Sequence, residues 1–371
     1  MSAEVGLPLL AASLALAACA KPDCAQTPPP PPAELGEPAA PEGYQATRVL
    51  AGLVEPTQLQ FDSAGKLFVL EGGPGLPKAV RVFAPDLREV SRIPLEGEGE
   101  ALGLLVFGAG ERVLVGSRGR IDGFRAEAGG GFVGPEPWVT DLPNGEHTND
   151  GMALGPDGFV YFAVGSTCDV CDEVDPRSAT VMRAAADQSA PVPEVYARGL
   201  RNAYDLAFTD GGVLLATDNG PECCGDEAAG CTGPGVDRLL EIRRDEDYGW
   251  PRAYRERATA APALALAELP LHGGATGLVA DDGAMCGGPS IFLTLWGTQH
   301  GRTEAGRSVY RVRLGRDELG VLVAAPPESF MGPSGLGHPI DVAIGPDGAL
   351  YVLDFEGSVV RVALNAAGAC P

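Results

Sequence analysis

The chain repeats one arrangement: a short apolar run, a turn built on Gly with Asp or Pro, and a second apolar run. Leu59-Gln60-Phe61 leads through Asp62-Ser63-Ala64-Gly65 to Leu67-Phe68-Val69. Leu104-Leu105-Val106-Phe107 leads through Gly108 and Gly110 to Val113-Leu114-Val115. Met152-Ala153-Leu154 leads through Gly155-Pro156-Asp157-Gly158 to Val160-Tyr161-Phe162. Leu206-Ala207-Phe208 and Val213-Leu214-Leu215 flank Asp210-Gly211-Gly212, and Val342-Ala343-Ile344 and Leu350-Tyr351-Val352 flank Gly345-Pro346-Asp347-Gly348. A degenerate sixth copy lies between residues 276 and 295, with Ile291-Phe292-Leu293 as its second run. Paired strands recurring every 45 to 55 residues or about that mark propeller blades. A blade cannot bury both faces alone, so neighbours must stack around a common axis. The pattern predicts an all-β chain folded as a six-bladed β-propeller. The stretch 44–53 is predicted to complete the last blade, which closes the ring and leaves no open sheet edge.

Composition agrees with many short strands and turns: 52 Gly and 33 Pro in 371 residues. Long apolar patterns of helical period are scarce, and the best helix candidate is the short Ala-rich run 259–269. The formal net charge is −23 with no basic patch, which excludes nucleic acid as a partner of choice. Residues 7–18 are an apolar stretch of signal-peptide length, too short to span a bilayer. The stretch ends in Leu16-Ala17-Ala18-Cys19, which resembles the bacterial lipobox. This divides the chain into a lipoprotein signal over 1–18, a Pro-rich tether over 19–42 and the propeller over 43–371. Cys19 then carries a lipid that holds an exported protein to a bacterial membrane, on its periplasmic side or at the cell surface. An ordinary secretory signal is the alternative. Five consecutive prolines, 28–32, form a stiff extended spacer. In an exported protein the eight cysteines after Cys19 suggest disulfides, with Cys168 and Cys171 and the Cys223, Cys224, Cys231 cluster as local candidates and Cys24, Cys286 and Cys370 for longer closures. A zinc site on Cys168 and Cys171 lacks two further ligands.

Residues just before each inner strand of a propeller gather at one mouth of the axial channel. Those slots hold Gln58, Glu100, His147 with Asn149, Arg201 with Asn202, His272 and His338. Three of the four histidines therefore fall at equivalent positions in different blades. Each slot residue also has a plainer reading. His147 caps a strand, Arg201 forms an inter-blade ion pair, and His338 shapes the turn before Pro339. His300 sits in a Gly-rich loop, Tyr248 and Trp250 pack between blades, and Asp157 and Asp347 are turn residues.

The segments 147–165, Gly199-Leu200-Arg201-Asn202, Asp218-Asn219-Gly220, Asp247-Tyr248-Gly249-Trp250-Pro251 and Leu269-Pro270-Leu271-His272 resemble the glucose/sorbosone dehydrogenase family, as does the final Pro346-Asp347-Gly348 blade. The resemblance covers most of residues 43–364. It implies a six-bladed propeller that oxidises a sugar or sugar aldehyde with pyrroloquinoline quinone (PQQ) and Ca²⁺, passing electrons to an external acceptor. By the same resemblance His147 is the general base, Arg201 and Asn202 contact the quinone with His338 and His272 nearby, and Gly220 and Pro221 form the turn that holds Ca²⁺. Four features depart from the pattern. Ser166 stands where some members carry an acid, Gly337-His338-Pro339 carries no Arg, Glu100 puts an anion in the blade-two slot, and 223–235 is a cysteine-bearing insertion beside the Gly220-Pro221 turn. Two other readings stand beside this one: a non-catalytic lipid-anchored propeller that binds a glycan or protein, and a Ca²⁺-dependent lactonase-type hydrolase.

Overall fold

Successive residues of a β-strand point to opposite faces of the sheet, and this chain uses both faces at once. In Leu67–Glu71, Leu67 and Val69 pack into one apolar cluster while Phe68 and Leu70 pack into another. Such strands read as continuous apolar runs because each face meets a neighbouring blade. Six apolar clusters result, one at each blade–blade boundary among the described residues. The computed structural model describes residues 35–75, 77–221, 236–252, 265–270, 273–297 and 306–365.

The blades are antiparallel sheets in chain order. Blade 1 holds Pro56–Phe61, Leu67–Glu71, Lys78–Phe83 and Glu89–Leu95; blade 2 holds Ala101–Phe107, Arg112–Ser117, Arg120–Ala126 and Phe132–Val139. Blade 3 holds Asn149–Leu154, Phe159–Val164, Thr180–Ala185 and Glu194–Arg198; blade 4 holds Ala203–Phe208, Leu214–Asp218, Arg238–Glu241 and Ala265–Glu268. Blade 5 starts with Ala275–Asp281, Ser290–Leu295 and Ser308–Arg316, the last pairing with both Leu322–Ala324 and Glu328–Met331. Blade 6 holds Pro339–Ile344, Leu350–Asp354 and Ser358–Leu364, and its outer strand is Tyr44–Ala51, with Tyr44 opposite Leu364. The chain is thus an all-β six-bladed propeller closed by its first strand. The six inner strands pack side by side around the axis, with blade 6 against blade 1.

All six repeat units fall on the first two strands of a blade. The Ala-rich helix candidate does not hold where it is described: Ala265–Glu268 is the outer strand of blade 4, hydrogen-bonded to Arg238–Glu241. Edge pairing there overrides a weak propensity. Residues 35–42 run along the ring, with Ala39 N–H donating to the Ser334 carbonyl at 3.1 Å and Arg48 to the Gly36 carbonyl at 3.0 Å. The signal stretch, Cys19, Cys24, the proline run, Cys223, Cys224, Cys231, His272, His300 and Cys370 lie outside the described residues. Asp157 shapes its turn, as expected, and also pairs with Tyr161 and Arg183; Asp347 does the same with Tyr351 and Arg361.

Every inner strand shifts register within its first few residues. Such bulges re-aim side chains. Here they turn polar groups into the channel and tie blades together. The Asp341 carboxylate accepts the Leu59 N–H at 2.7 Å, the Asp205 carboxylate accepts the Leu278 N–H at 3.0 Å, and Gln58 accepts from the Leu104 N–H. Gln58 Nε2 also reaches Asp205 at 3.3 Å, from blade 1 to blade 4 across the axis. Gln58 therefore helps plug the channel, and Asn149 bonds the Gly119 N–H and the Arg120 carbonyl.

Candidate active site

The mouth of the channel opens into a cavity of about 490 Å³, within the size range of small-molecule sites. Glu100, His147, Arg201, Asn202, Gly220 and Pro221 all line it, so loops of blades 2, 3 and 4 bring these positions together.

His147 lies just before the inner strand of blade 3. Its Nδ1 lies 2.9 Å from Ser166 Oγ and 3.2 Å from the Ser166 carbonyl oxygen. The Ser166 hydroxyl donates its own proton to the Cys168 carbonyl at 2.8 Å. Neither Ser166 oxygen has a proton to give the ring, so Nδ1 carries the imidazole proton and Nε2 keeps its lone pair. Burial, then the positive charge of Arg201, depress the His147 pKa to about 3, while the bond to Ser166 and the charge of Asp169 oppose this. The ring is neutral at ordinary pH. Its seat depends on Gly165, where a Cβ would lie 2.4 Å from the His147 Cβ.

Arg201 precedes the inner strand of blade 4, and its side chain is only 2 % exposed. Nη2 meets Asp169 Oδ1 at 2.8 Å and Nε donates to the Asp169 carbonyl at 3.2 Å. The ion-pair reading and the cavity reading of Arg201 therefore both apply. Asp169 sits inside the loop closed by the Cys168–Cys171 disulfide. That loop thus holds His147 through Ser166 and Arg201 through Asp169, and the Ser166 N–H also donates to the Arg201 carbonyl at 2.8 Å. Behind Arg201, the Tyr248 and Trp250 N–H groups donate to the Arg198 and Gly199 carbonyls at 2.9 and 3.0 Å. Tyr248 is fully buried in the cluster between blades 3 and 4.

Asn202 donates through Nδ2 to Asn219 Oδ1 at 3.0 Å, while its own Oδ1 is buried without a hydrogen-bond partner. Asn219 leads directly into the Gly220-Pro221 turn. The Gly220 and Ala275 N–H groups donate to the two oxygens of Asp237, at 3.0 and 2.9 Å. Burial raises the Asp237 pKa.

His338 is not among the lining residues. It stacks on Trp296 with ring centroids 4.7 Å apart, and its Nδ1 bonds Glu356. Trp296 and Phe355 form the wall in front of it. Sequence reasoning missed that aromatic wall, together with Asp169, Asp237 and the buried Tyr204. Trp296, one of three tryptophans and immediately after an apolar run, was the one visible signal among them.

A six-bladed propeller with a neutral imidazole, a guanidinium and a Gly-Pro turn around one channel mouth is the class that fold and cavity define. No protein-family model and no curated protein matches the chain. Solved structures do match its fold. The PQQ-bound aldose sugar dehydrogenase of Streptomyces coelicolor superposes with a TM-score of 0.66 at 19% identity, over 87% of this chain and 99% of that one. The Thermus thermophilus putative oxidoreductase (glucose dehydrogenase) gives 0.66 at 22%, over 86% and 100%. The calcium structure of a Trichoderma reesei carbohydrate-active enzyme of family AA12 gives 0.71 at 14%, over 89% and 97%. At these identities the likeness establishes the propeller fold.

Proposed function

We propose that the protein is a quinoprotein dehydrogenase of sugars or sugar aldehydes, using PQQ and Ca²⁺. The observation that carries this reading is His147, whose hydrogen bonds leave Nε2 as the basic atom beside Arg201 and Asn202. Two features fit the cofactors. The partnerless Asn202 Oδ1 lies close to the Gly220-Pro221 turn, and oxygen donors of this kind suit a hard cation such as Ca²⁺. Arg201 commits Nε and Nη2 to Asp169, which leaves Nη1 to face a carboxylate or quinone oxygen. Bound PQQ would supply the two-electron acceptor chemistry. The protein's part is to orient the sugar against the Trp296–Phe355 wall and to accept its hydroxyl proton at His147 Nε2. An external acceptor would then take the electrons, and Cys19 would carry the lipid that tethers the protein to a bacterial membrane.

One observation favours a second reading, a propeller that binds a glycan without oxidising it. Among the described residues that line the cavity Arg201 is the one Lys or Arg, against the acids Glu100 and Asp237. A lactonase-type hydrolase has less support, since both Asp237 oxygens already accept backbone N–H groups. Titration of the purified protein with PQQ and Ca²⁺, followed by absorbance and melting temperature, separates these readings. Saturable binding and dye-linked sugar oxidation, with oxidation lost and binding retained in His147→Asn, is the expected result. Absence of both binding and turnover across a sugar panel overturns the dehydrogenase reading. Release of Cys19→Ser protein from the membrane fraction tests the tether.

A further inference from the structure

The inner end of the cavity carries a polar atom that no described residue uses. Tyr204, on the inner strand of blade 4, lines the cavity and is 8 % exposed, and its hydroxyl is buried without a hydrogen-bond partner. Buried tyrosines usually find one. Tyr248 does: its hydroxyl donates to the Glu241 carbonyl and accepts from the Arg243 N–H.

The surroundings of the Tyr204 hydroxyl are acidic. Burial, then the charges of Asp150, Asp341, Asp205 and Glu100, push its pKa up, so the phenol stays protonated. These acids come from blades 3, 6, 4 and 2. The strands of Asp150 and Asp205 approach closely, since a Cβ at Gly151 would lie 2.3 Å from Asp205 Oδ1. Asp205 and Asp341 accept backbone N–H groups, and Asp150 accepts from the Thr148 hydroxyl at 3.2 Å. Among the described residues no Lys or Arg pairs with any of the three, or with Glu100. Glu100 is exposed and, like Tyr204, lines the cavity. The guanidinium of the same lining, Arg201, is paired with Asp169.

A phenol has one proton to give and lone pairs that receive. An anion placed here would be repelled by the carboxylates. A neutral hydroxyl would satisfy the phenol and gain little from the acids. An ammonium does both: one N–H meets the phenol oxygen, another meets Glu100, and its charge offsets the acids beneath.

We propose that Glu100 and the Tyr204 hydroxyl form a subsite for a substrate ammonium, so that the sugar this cavity prefers is an amino sugar. The sugar part rests on the dehydrogenase reading; the cation subsite does not. Glu100 supplies the selectivity, and Tyr204 holds the amine at the inner end of the cavity. The amine and the anionic cofactor use different residues, since PQQ is assigned to Arg201 and Asn202.

Calorimetric titration of the full protein, with and without PQQ and Ca²⁺, compares glucosamine, glucose and N-acetylglucosamine at a pH where the free amine is protonated. Glucosamine should bind at least about tenfold more tightly than glucose, and the acetylated sugar should show no such advantage. The advantage should fade as salt rises and vanish in Glu100→Gln, an exposed position outside the blade interiors. Tyr204→Phe should lose part of it without lowering the melting temperature of the unliganded protein, because no hydrogen bond is removed. Equal binding of glucosamine and glucose, or none of either, overturns the proposal, as does an unchanged preference in Glu100→Gln. A melting-temperature rise with potassium that Glu100→Gln removes, in place of any preference for glucosamine, assigns the site to an inorganic cation and also overturns it. Dye-linked oxidation of glucose without amine preference would sink the subsite and leave the dehydrogenase reading. Amine-selective binding without oxidation would do the reverse.

Discussion

Replacing Asp169 with Ala removes the counter-charge of a guanidinium that is 2 % exposed. Breaking a fully buried pair from one side costs ~3–5 kcal/mol, because the remaining charge stays desolvated. Asp169 is 19 % exposed, and its carbonyl would still accept from Arg201 Nε. Partial solvation and that surviving bond bring the expected loss down to about 2 kcal/mol. Asp169→Asn keeps an oxygen for Nη2 without the charge and should lose about 1 kcal/mol. Arg201→Met in the Asp169→Ala background removes the stranded cation, so the double-mutant cycle should return a coupling of about 2 kcal/mol. Urea unfolding followed by tryptophan fluorescence measures the wild type, Asp169→Ala, Asp169→Asn, Arg201→Met and the double variant. The charge of Asp169 also opposes the depression of the His147 pKa. In Asp169→Ala the imidazole should therefore stay neutral to a still lower pH in an NMR titration. A coupling below about 0.5 kcal/mol would show that the disulfide loop does not hold Arg201, and the account of how this site is positioned would fail.

Burial raises the Asp205 pKa to about 7, and that of Asp341 also rises. Both favour the protonated folded form. Their contribution is full below about pH 4 and declines as pH climbs to 7, by up to about 1.4 kcal/mol per pH unit for one group. Asp205→Asn should flatten that decline in denaturant midpoints, and an unchanged slope would refute the assignment. His147 runs the other way: with its pKa near 3 it contributes stability above about pH 6.5 that is lost as pH falls toward 3, and His147→Asn should abolish this part. Gly165→Ala places a methyl group against the His147 Cβ and should cost about 1–3 kcal/mol, with turnover falling more than stability; wild-type turnover in this variant would refute the seat described for the ring. The double substitution Cys168→Ser/Cys171→Ser opens a very short loop, worth about 2 kcal/mol by chain entropy, and should be less than additive with Asp169→Ala because both release the same contact.

The blade count was legible because each boundary needs two apolar faces, and a run such as Leu67-Phe68-Val69 supplies both. The closing strand was legible for the complementary reason that an open edge at Ser358–Leu364 would expose its backbone groups. The slot rule gathered Glu100, His147, Arg201 and Asn202 into one cavity, since residues before each inner strand share a mouth. It failed to anticipate Gln58, because the register shift in every inner strand moves the polar side chain from the mouth into the channel. A one-residue bulge leaves no mark on apolar periodicity. His338 sits behind Trp296, since Glu356 holds the imidazole and the His338 N–H alike.

Of the departures from the resemblance, Ser166 bears most directly on His147. An acid next to His147 would raise the basicity of the ring; Ser166 fixes the same tautomer without adding charge. With Arg201 close by, a neutral orienter leaves the imidazole weakly basic. Such a base removes a proton only from a hydroxyl already acidified by its surroundings. On the proposed dehydrogenase reading, proton removal by His147 would therefore also need a group on the Gly220-Pro221 side of the cavity that acidifies the hydroxyl. It follows that Ser166→Asp should raise the His147 pKa and, if the protein is the proposed dehydrogenase, make its turnover less dependent on added Ca²⁺. A pKa that is the same in Ser166→Asp as in the unmodified protein, read by NMR, would show that a charge at position 166 does not reach the ring.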